Sequence, residues 1–406
     1  MTSPIEAEPM LSLSMIVRNE AERLPDCLAS VADFVDEMVV LDTGSQDDTV
    51  AVARALGATV HEIPWPGDFA PARNLALAQV RGDWVLVLDA DERLRTEARA
   101  PLRQLMEDPH ALVITLLRRE LGAAQAPYSA VSRLFRRHPA LHWSRPYHSL
   151  IDDSVLALQA HEPHWQIRHC PEPALLHDGY RAEALADGRK AIQLRAAMEA
   201  ELRRQPNDPY AIGKLAGLDL QAGRHQQALA LLRRGLAACP DDAHAERFEL
   251  LLPLAIGLTP TDPAEAASRY EEALQLPLDA RVTAAARLNL ALLRQEQGQL
   301  GEAAALAQAV TESAPELTQG WLALGRIERQ RGRTSEAIAA YRQALTQEPS
   351  HPEAHQNLAV ALLMAGDIPG ARQGFRQAIA LLHQQGRTGE ATALASRAGQ
   401  LVRLDP

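Results

Sequence analysis

The feature that most restricts the fold of this chain is a recurrence of small and aromatic residues at a spacing of 34. Trp321, Leu324, Gly325, Ala337, Tyr341, Ala344 and Pro349 set the pattern. A step of 34 backwards lands on Arg287, Leu290, Ala291, Ala303, Ala307, Val310 and Pro315, and a step forwards lands on His355, Leu358, Ala359, Ala371, Phe375 and Ala378. A fixed period of this length means one supersecondary unit stacked on copies of itself, because a lone pair of helices cannot bury its apolar face. An earlier unit, residues 209–242, keeps Leu215, Ala216, Ala228 and Pro240 in register. The next, to residue 279, keeps Ala266, Tyr270 and Ala273 but needs a short insertion near Leu258, Thr259 and Pro260. Five units over residues 209–385, the second degenerate, and a capping helix over 386–406 are expected.

The first 180 residues have a different rhythm. Apolar runs at residues 11–17, 37–41, 59–63 and 84–88 predict strands, and residues 22–32, 47–56 and 71–80 have helical apolar spacing. This alternation predicts an α/β domain over residues 1–180 whose Rossmann-like, mostly parallel sheet is covered on both faces. Ligands in such sheets sit at the carboxyl ends of the strands. Those ends are polar here: Val17 is followed by Arg18, Asn19 and Glu20, Leu41 by Asp42, Thr43, Gly44 and Ser45, and Leu88 by Asp89, Ala90, Asp91 and Glu92.

An extended backbone points residues i and i+2 the same way, so Asp89 and Asp91 are expected to converge where the fourth strand leaves the sheet. Two carboxylates there suit a hard cation, Mn²⁺ or Mg²⁺, that holds a diphosphate; two acids that merely cap a helix are the plainer reading. Asp42, directly after a buried strand, can accept from a base imide or a ribose hydroxyl, or close a turn. Arg73 offers a planar set of donors suited to phosphate or carboxylate, and Asn74 both donates and accepts; alternatively the two brace the turn at Pro71. Ser45 and Asp48 read as a capping pair. No Walker sequence or Gly-x-Gly-x-x-Gly fingerprint competes for a nucleotide.

Bulk properties set outer limits. A net charge of -11 argues against nucleic-acid binding. Three cysteines, Cys27, Cys170 and Cys239, lie far apart with no metal-type spacing, which fits a reducing cytoplasm. The amino terminus, with Glu6 and Glu8 before Met10, lacks the pattern of a signal peptide, and the apolar run over residues 250–258 is too short to span a bilayer. Residues 181–208 have helical composition without a Gly/Ser-rich or Pro-rich linker, so a connecting helix with a fixed relation between the two parts is expected.

Four blocks along the amino-terminal part carry a resemblance: residues 14–20 (SMIVRNE), residues 42–49 (DTGSQDDT), Trp65 with residues 67–74 (GDFAPARN), and residues 82–84 (GDW) leading into the acidic pair. They resemble the inverting family 2 glycosyltransferases of the GT-A fold, in particular the bacterial branch joined to tetratricopeptide repeats that modifies peptides and proteins. The 34-residue pattern resembles the tetratricopeptide repeat position for position.

The resemblance implies a donor site of Val17, Arg18, Asn19, Glu20, Asp42, Arg73, Asn74 and Asp89, with Asp42 on the base of a UDP-sugar and Asp89 and Asp91 serving ribose and metal. The sequence Leu176-His177-Asp178-Gly179-Tyr180 is similar to the family's closing motif, in which histidine completes the metal site. His148 occupies a place where relatives show histidine followed by glutamate. Here Ser149 replaces that acid, so the catalytic roles fall to His148 and Asp152, with Asp153 beside it and a surface turn as the competing role for both aspartates. The expected activity is metal-dependent, inverting transfer of a hexose from a UDP-sugar to a peptide or protein side chain held by the repeats. A transferase acting on an envelope glycan or lipid-linked acceptor is the runner-up. A non-catalytic repeat adaptor with a decayed transferase is kept open by Ser149.

Overall fold

In the computed structural model the described residues are 10–123, 127–145, 149–179 and 188–404. They divide into two compact units between residues 204 and 205. Alternating apolar side chains build the first. Strand β1 (Leu11–Val17) sends Leu11, Leu13, Met15 and Val17 to one face, whereas β4 (Trp84–Val87) sends Trp84 and Leu86 to that face and Val85 and Val87 to the other. With β2 (Glu37–Asp42) and β3 (Thr59–Glu62) these strands run parallel, linked through α1 (Leu24–Ala29), α2 (Thr49–Ala55) and α3 (Phe69–Leu77).

Beyond β4 the chain adds β5 (Glu92–Leu94), α4 (Thr96–Met106), β6 (Ala111–Glu120), β7 (Tyr128–Arg136), α5 (Asp152–His161) and β8 (Gln166–His177). The eight strands lie in the order β3-β2-β1-β4-β7-β6-β8-β5. Strand β6 pairs parallel with β8, while β7 is antiparallel to β4 and β6 and β5 is antiparallel to β8, so the sheet is mixed with parallel pairs in the majority, as expected. Strand β7 turns back on β6 because the link between them is short, and parallel neighbours need a crossover. Helices α1, α2 and α4 cover one face through Leu24, Leu28, Ala53, Ala98 and Leu102, and α3 and α5 cover the other through Ala70, Val155 and Leu158.

The second unit is a run of helical pairs: Pro209–Gln221 with His225–Ala238, His244–Leu258 with Pro263–Gln275, Ala284–Glu296 with Leu300–Ser313, Thr318–Gln330 with Thr334–Gln347, and Pro352–Met364 with Ile368–Gln384. Thr388–Gly399 follows as a single closing helix, and Gly188–Arg204 precedes the run. The packing explains the periodic residues. A Cβ at Gly325 would lie 2.6 Å from the Tyr341 ring, so the first helix must be small where the second is aromatic. Trp321 Nε1 donates to the Pro315 carbonyl at 2.7 Å, and His355 Nε2, one period later, lies 2.9 Å from the Pro349 carbonyl.

Candidate active site

Strands β2, β1 and β4 are neighbours, so their carboxyl ends meet. The turns there are laced together by side chains. Thr43 donates from both N and Oγ1 to the Val17 carbonyl at 3.0 Å. Asn19 adopts left-handed backbone, φ 56°, which asparagine tolerates because its short side chain bonds locally. Its N donates to Ser45 Oγ at 2.9 Å, and its Oδ1 accepts from Gln46 N at 2.7 Å. Glu20 N donates to Thr49 Oγ1 at 2.8 Å, while Arg18 is exposed at the rim.

Asp42 is buried; its Oδ2 accepts from Gly44 N and Ser45 N at 2.9 Å each, and its Oδ1 accepts from Ser45 Oγ. The turn-closing role is therefore realised. Ser45 is drawn into that turn instead of capping a helix, and the N-cap of α2, Asp48, makes no side-chain cap bond.

The acidic pair departs from expectation. The extended chain stops at Val87, and a tight turn closes over residues 89–92: Glu92 N donates to the Asp89 carbonyl, and Asp89 N donates to Glu92 Oε2, both at 2.9 Å. Alternation ends with the strand, so Asp89 and Asp91 point to different partners. Asp89 Oδ1 accepts from Arg73 Nη2 at 2.6 Å and Oδ2 from Arg133 Nη2 at 2.5 Å. Asp91 Oδ2 lies 3.4 Å from His177 Nε2 and 4.0 Å from Arg23 Nη1. The expected metal trio of Asp89, Asp91 and His177 is thus divided, and among the described residues no three His, Cys, Asp or Glu side chains stand together to hold a metal. A carboxylate in this interior needs counter-ions within reach. Burial raises the Asp89 pKa, and the Arg133 and Arg73 guanidiniums override that and hold it far below the usual carboxylate range.

The ion pairs continue without a break. Arg133 lies 3.5 Å from Glu92, Glu92 accepts from Arg118 at 2.6 Å, Arg118 donates to Glu120 at 2.8 Å, and Glu120 is bonded to His177 Nδ1. From Arg73 to Asp91 the run thus alternates in sign: Arg73, Asp89, Arg133, Glu92, Arg118, Glu120, His177, Asp91. Burial alone would lower the His177 pKa, but the hydrogen bonds to Asp91 and Glu120 push it up to about 9. Glu120 moves the other way; burial raises its pKa, and the His177 bond and the Arg118 charge lower it.

Sequence reasoning missed Glu92, Arg118, Glu120 and Arg133. Arg118 and Glu120 carried a usable signal, since charges at spacing two ending an apolar strand share one side of it. Arg133 carried none. Between Ile114↔Leu134 and Leu116↔Val131 strand β6 advances two residues and β7 three, so Ser132 and Arg133 both stand opposite Thr115. Such a bulge re-aims side chains beside a site.

Arg73 and Asn74 separate in role. The Arg73 guanidinium lies 4.9 Å over the Trp143 ring while it holds Asp89. Asn74 gives both amide atoms to the Trp143 backbone, at 2.9 and 2.8 Å, and so braces the segment before α5. His148 lies outside the described residues. Asp152 and Asp153 form the first turn of α5, which corrects the surface-turn reading. Asp153 is gripped by Arg145 through two bonds of 3.1 Å and by Ser144. Asp152 accepts from Ser132 Oγ at 2.6 Å, and burial raises its pKa despite that bond.

Comparison with known proteins fits this geometry. The model of glycosyl transferase family 2 matches residues 12–164, and a tetratricopeptide repeat model matches residues 322–385. A TPR repeat-containing protein of Synechococcus elongatus is 45% identical over 381 residues, 94% of each chain. The chain belongs to the family 2 glycosyltransferases, joined to tetratricopeptide repeats.

This family 2 glycosyltransferase is also similar to an uncharacterized glycosyltransferase of Rickettsia bellii, 31% identical over 155 residues, 36% of this chain and 52% of that one. The SPbeta prophage-derived glycosyltransferase SunS of Bacillus subtilis is 31% identical over 99 residues, 24% of each chain. Among solved structures YrrB, a TPR protein with an unusual peptide-binding site, is 17% identical, with 48% of this chain and 98% of that one covered and a TM-score of 0.38. The family 2 match ends before β8 and does not reach His177. Among the described residues no helix of the glycosyltransferase is long and apolar enough to cross a membrane.

Proposed function

We propose that this glycosyltransferase moves a hexose from a UDP-sugar to a peptide or protein side chain presented by the repeats, in the cytoplasm, with inversion at the anomeric carbon and dependence on a divalent cation. The observation that carries the reading is the Asp91–His177 pair at 3.4 Å, tied through the ion-pair run to Asp89 and Arg73 at the carboxyl end of the sheet. A carboxylate and an imidazole fit Mn²⁺ or Mg²⁺, which bind through one or two protein groups and keep other positions for water and phosphate oxygens. Bound there, the cation would supply charge stabilisation to the leaving diphosphate.

The chain's own groups do the rest. Asp42 and the turn over Val17, Arg18, Asn19 and Glu20 hold the nucleoside. Asp89 remains the counter-ion that fixes Arg73 and Arg133 beside the donor. Asn74 keeps Trp143 and the segment leading to α5 in place. Asp152, with His148 as the alternative, takes the proton of the acceptor as that group attacks opposite the leaving nucleotide.

The test is hydrolysis of UDP-glucose or UDP-N-acetylglucosamine without acceptor, with and without Mn²⁺. Metal-dependent release of UDP is expected, and Asp91→Asn lowers it by at least ~10²-fold in a folded variant. Undiminished turnover in that variant rejects the assignment of Asp91. Silence with all common donors favours the adaptor reading.

A further inference from the structure

We propose that Glu120 is the positioning residue that decides which nitrogen of His177 faces Asp91; the inference rests on the metal-dependent reading above. Strand register, one carboxylate and one glycine together fix the imidazole. The strand register sets Glu120 of β6 directly beside His177 of β8, with Glu92 of β5 on the opposite side. Glu120, 5% exposed, takes Nδ1 of the ring. Gly179 forms the third wall, since a Cβ there would lie 2.5 Å from both Cε1 and Nε2 of His177. Glycine leaves the ring just enough room. With Nδ1 taken by Glu120, Nε2 is the nitrogen that faces Asp91, 3.4 Å away, and the one whose proton a bound cation would displace.

Glu120 is itself immobilised. Arg118 Nε donates to it at 2.8 Å and Ser129 Oγ is bonded to the same oxygen. The other end of that guanidinium donates to Glu92 at 2.6 Å, and Glu92 Oε2 accepts from Asp89 N. One arginine therefore braces the glutamates on both sides of His177, and the brace extends to the turn that carries Asp89 and Asp91. Glu120 touches no reacting atom in this scheme; it acts through the ring of His177.

The test is the affinity of the full chain for Mn²⁺ alone, read by electron paramagnetic resonance without donor sugar. Glu120→Gln keeps the shape and removes the charge, and is expected to weaken Mn²⁺ binding ~10–100-fold, the usual effect of losing a carboxylate behind a metal-binding histidine. Glu120→Asp keeps the charge but draws it back from Nδ1 by one carbon, and is expected to weaken binding in the same direction, which keeps the test decisive should Glu120→Gln not fold. Thermal unfolding of each variant checks that the fold persists. Wild-type affinity in folded variants overturns the role of Glu120 alone. A wild-type chain that binds no Mn²⁺, with or without UDP, overturns the metal-dependent reading beneath it.

Discussion

At the scale of single residues, the site is a largely buried run of charges in which each interior member lies between two of opposite sign. Removing one partner from such a run leaves its neighbours uncompensated, which costs far more than the net worth of the pair. Arg118 is the clearest case, because it bonds both Glu92 and Glu120. Arg118→Met is expected to destabilise the first unit by ~3–5 kcal/mol, read by urea unfolding. Asp152 offers a different test. Its pKa is raised by burial, and a general base must be ionised, so transfer should fall as pH drops through a value above the ordinary aspartate range. Asp152→Asn is expected to lower transfer ~10²-fold or more and to abolish that acid limb of kcat/KM. An acid limb that survives the substitution assigns the base elsewhere, with His148 next in line. The Asp91–His177 contact joins two residues that the sequence motifs single out, whereas Arg133 carries no such signal, since only the bulge in β7 places it beside Asp89.

At the scale of elements, periodicity reads well where one face of each element packs the same way throughout. The helical pairs met that condition, and Gly325 shows why: its missing side chain is the space that Tyr341 fills. Gly325→Ala is expected to cost ~1–3 kcal/mol through overpacking, measured as a lowered urea midpoint of the second unit with no change of slope. Strand β6 reads poorly. Ala111 to Ile114 are buried on both faces, so the run has no alternation to mark it as a strand. The acidic turn differs for the opposite reason: alternation does not carry to Asp89 and Asp91, two and four residues beyond the end of β4.

For the whole molecule, each unit has apolar clusters of its own: among the described residues the sheet is packed by residues before 205, and the repeats by clusters of residues after it. Residues 205–406 expressed alone are therefore expected to fold cooperatively, with circular dichroism and the fluorescence of Trp321 following one unfolding curve; non-coincident curves would show that the repeats depend on the transferase. The proposed division of labour predicts a second outcome: residues 1–204 alone hydrolyse a UDP-sugar but fail to modify the peptide acceptor that the full chain uses.

What the sequence by itself determined is the identity of the two halves: the 34-residue recurrence and the strand-end motifs are local patterns, and local patterns are written in consecutive residues. Tertiary structure alone decided how the charges are shared. The turn after β4 sends Asp89 to two arginines and Asp91 to a histidine, and β6 sets Glu120 beside that histidine more than fifty residues away in the chain. Such partners are fixed by strand register, and register belongs to the sheet as a whole.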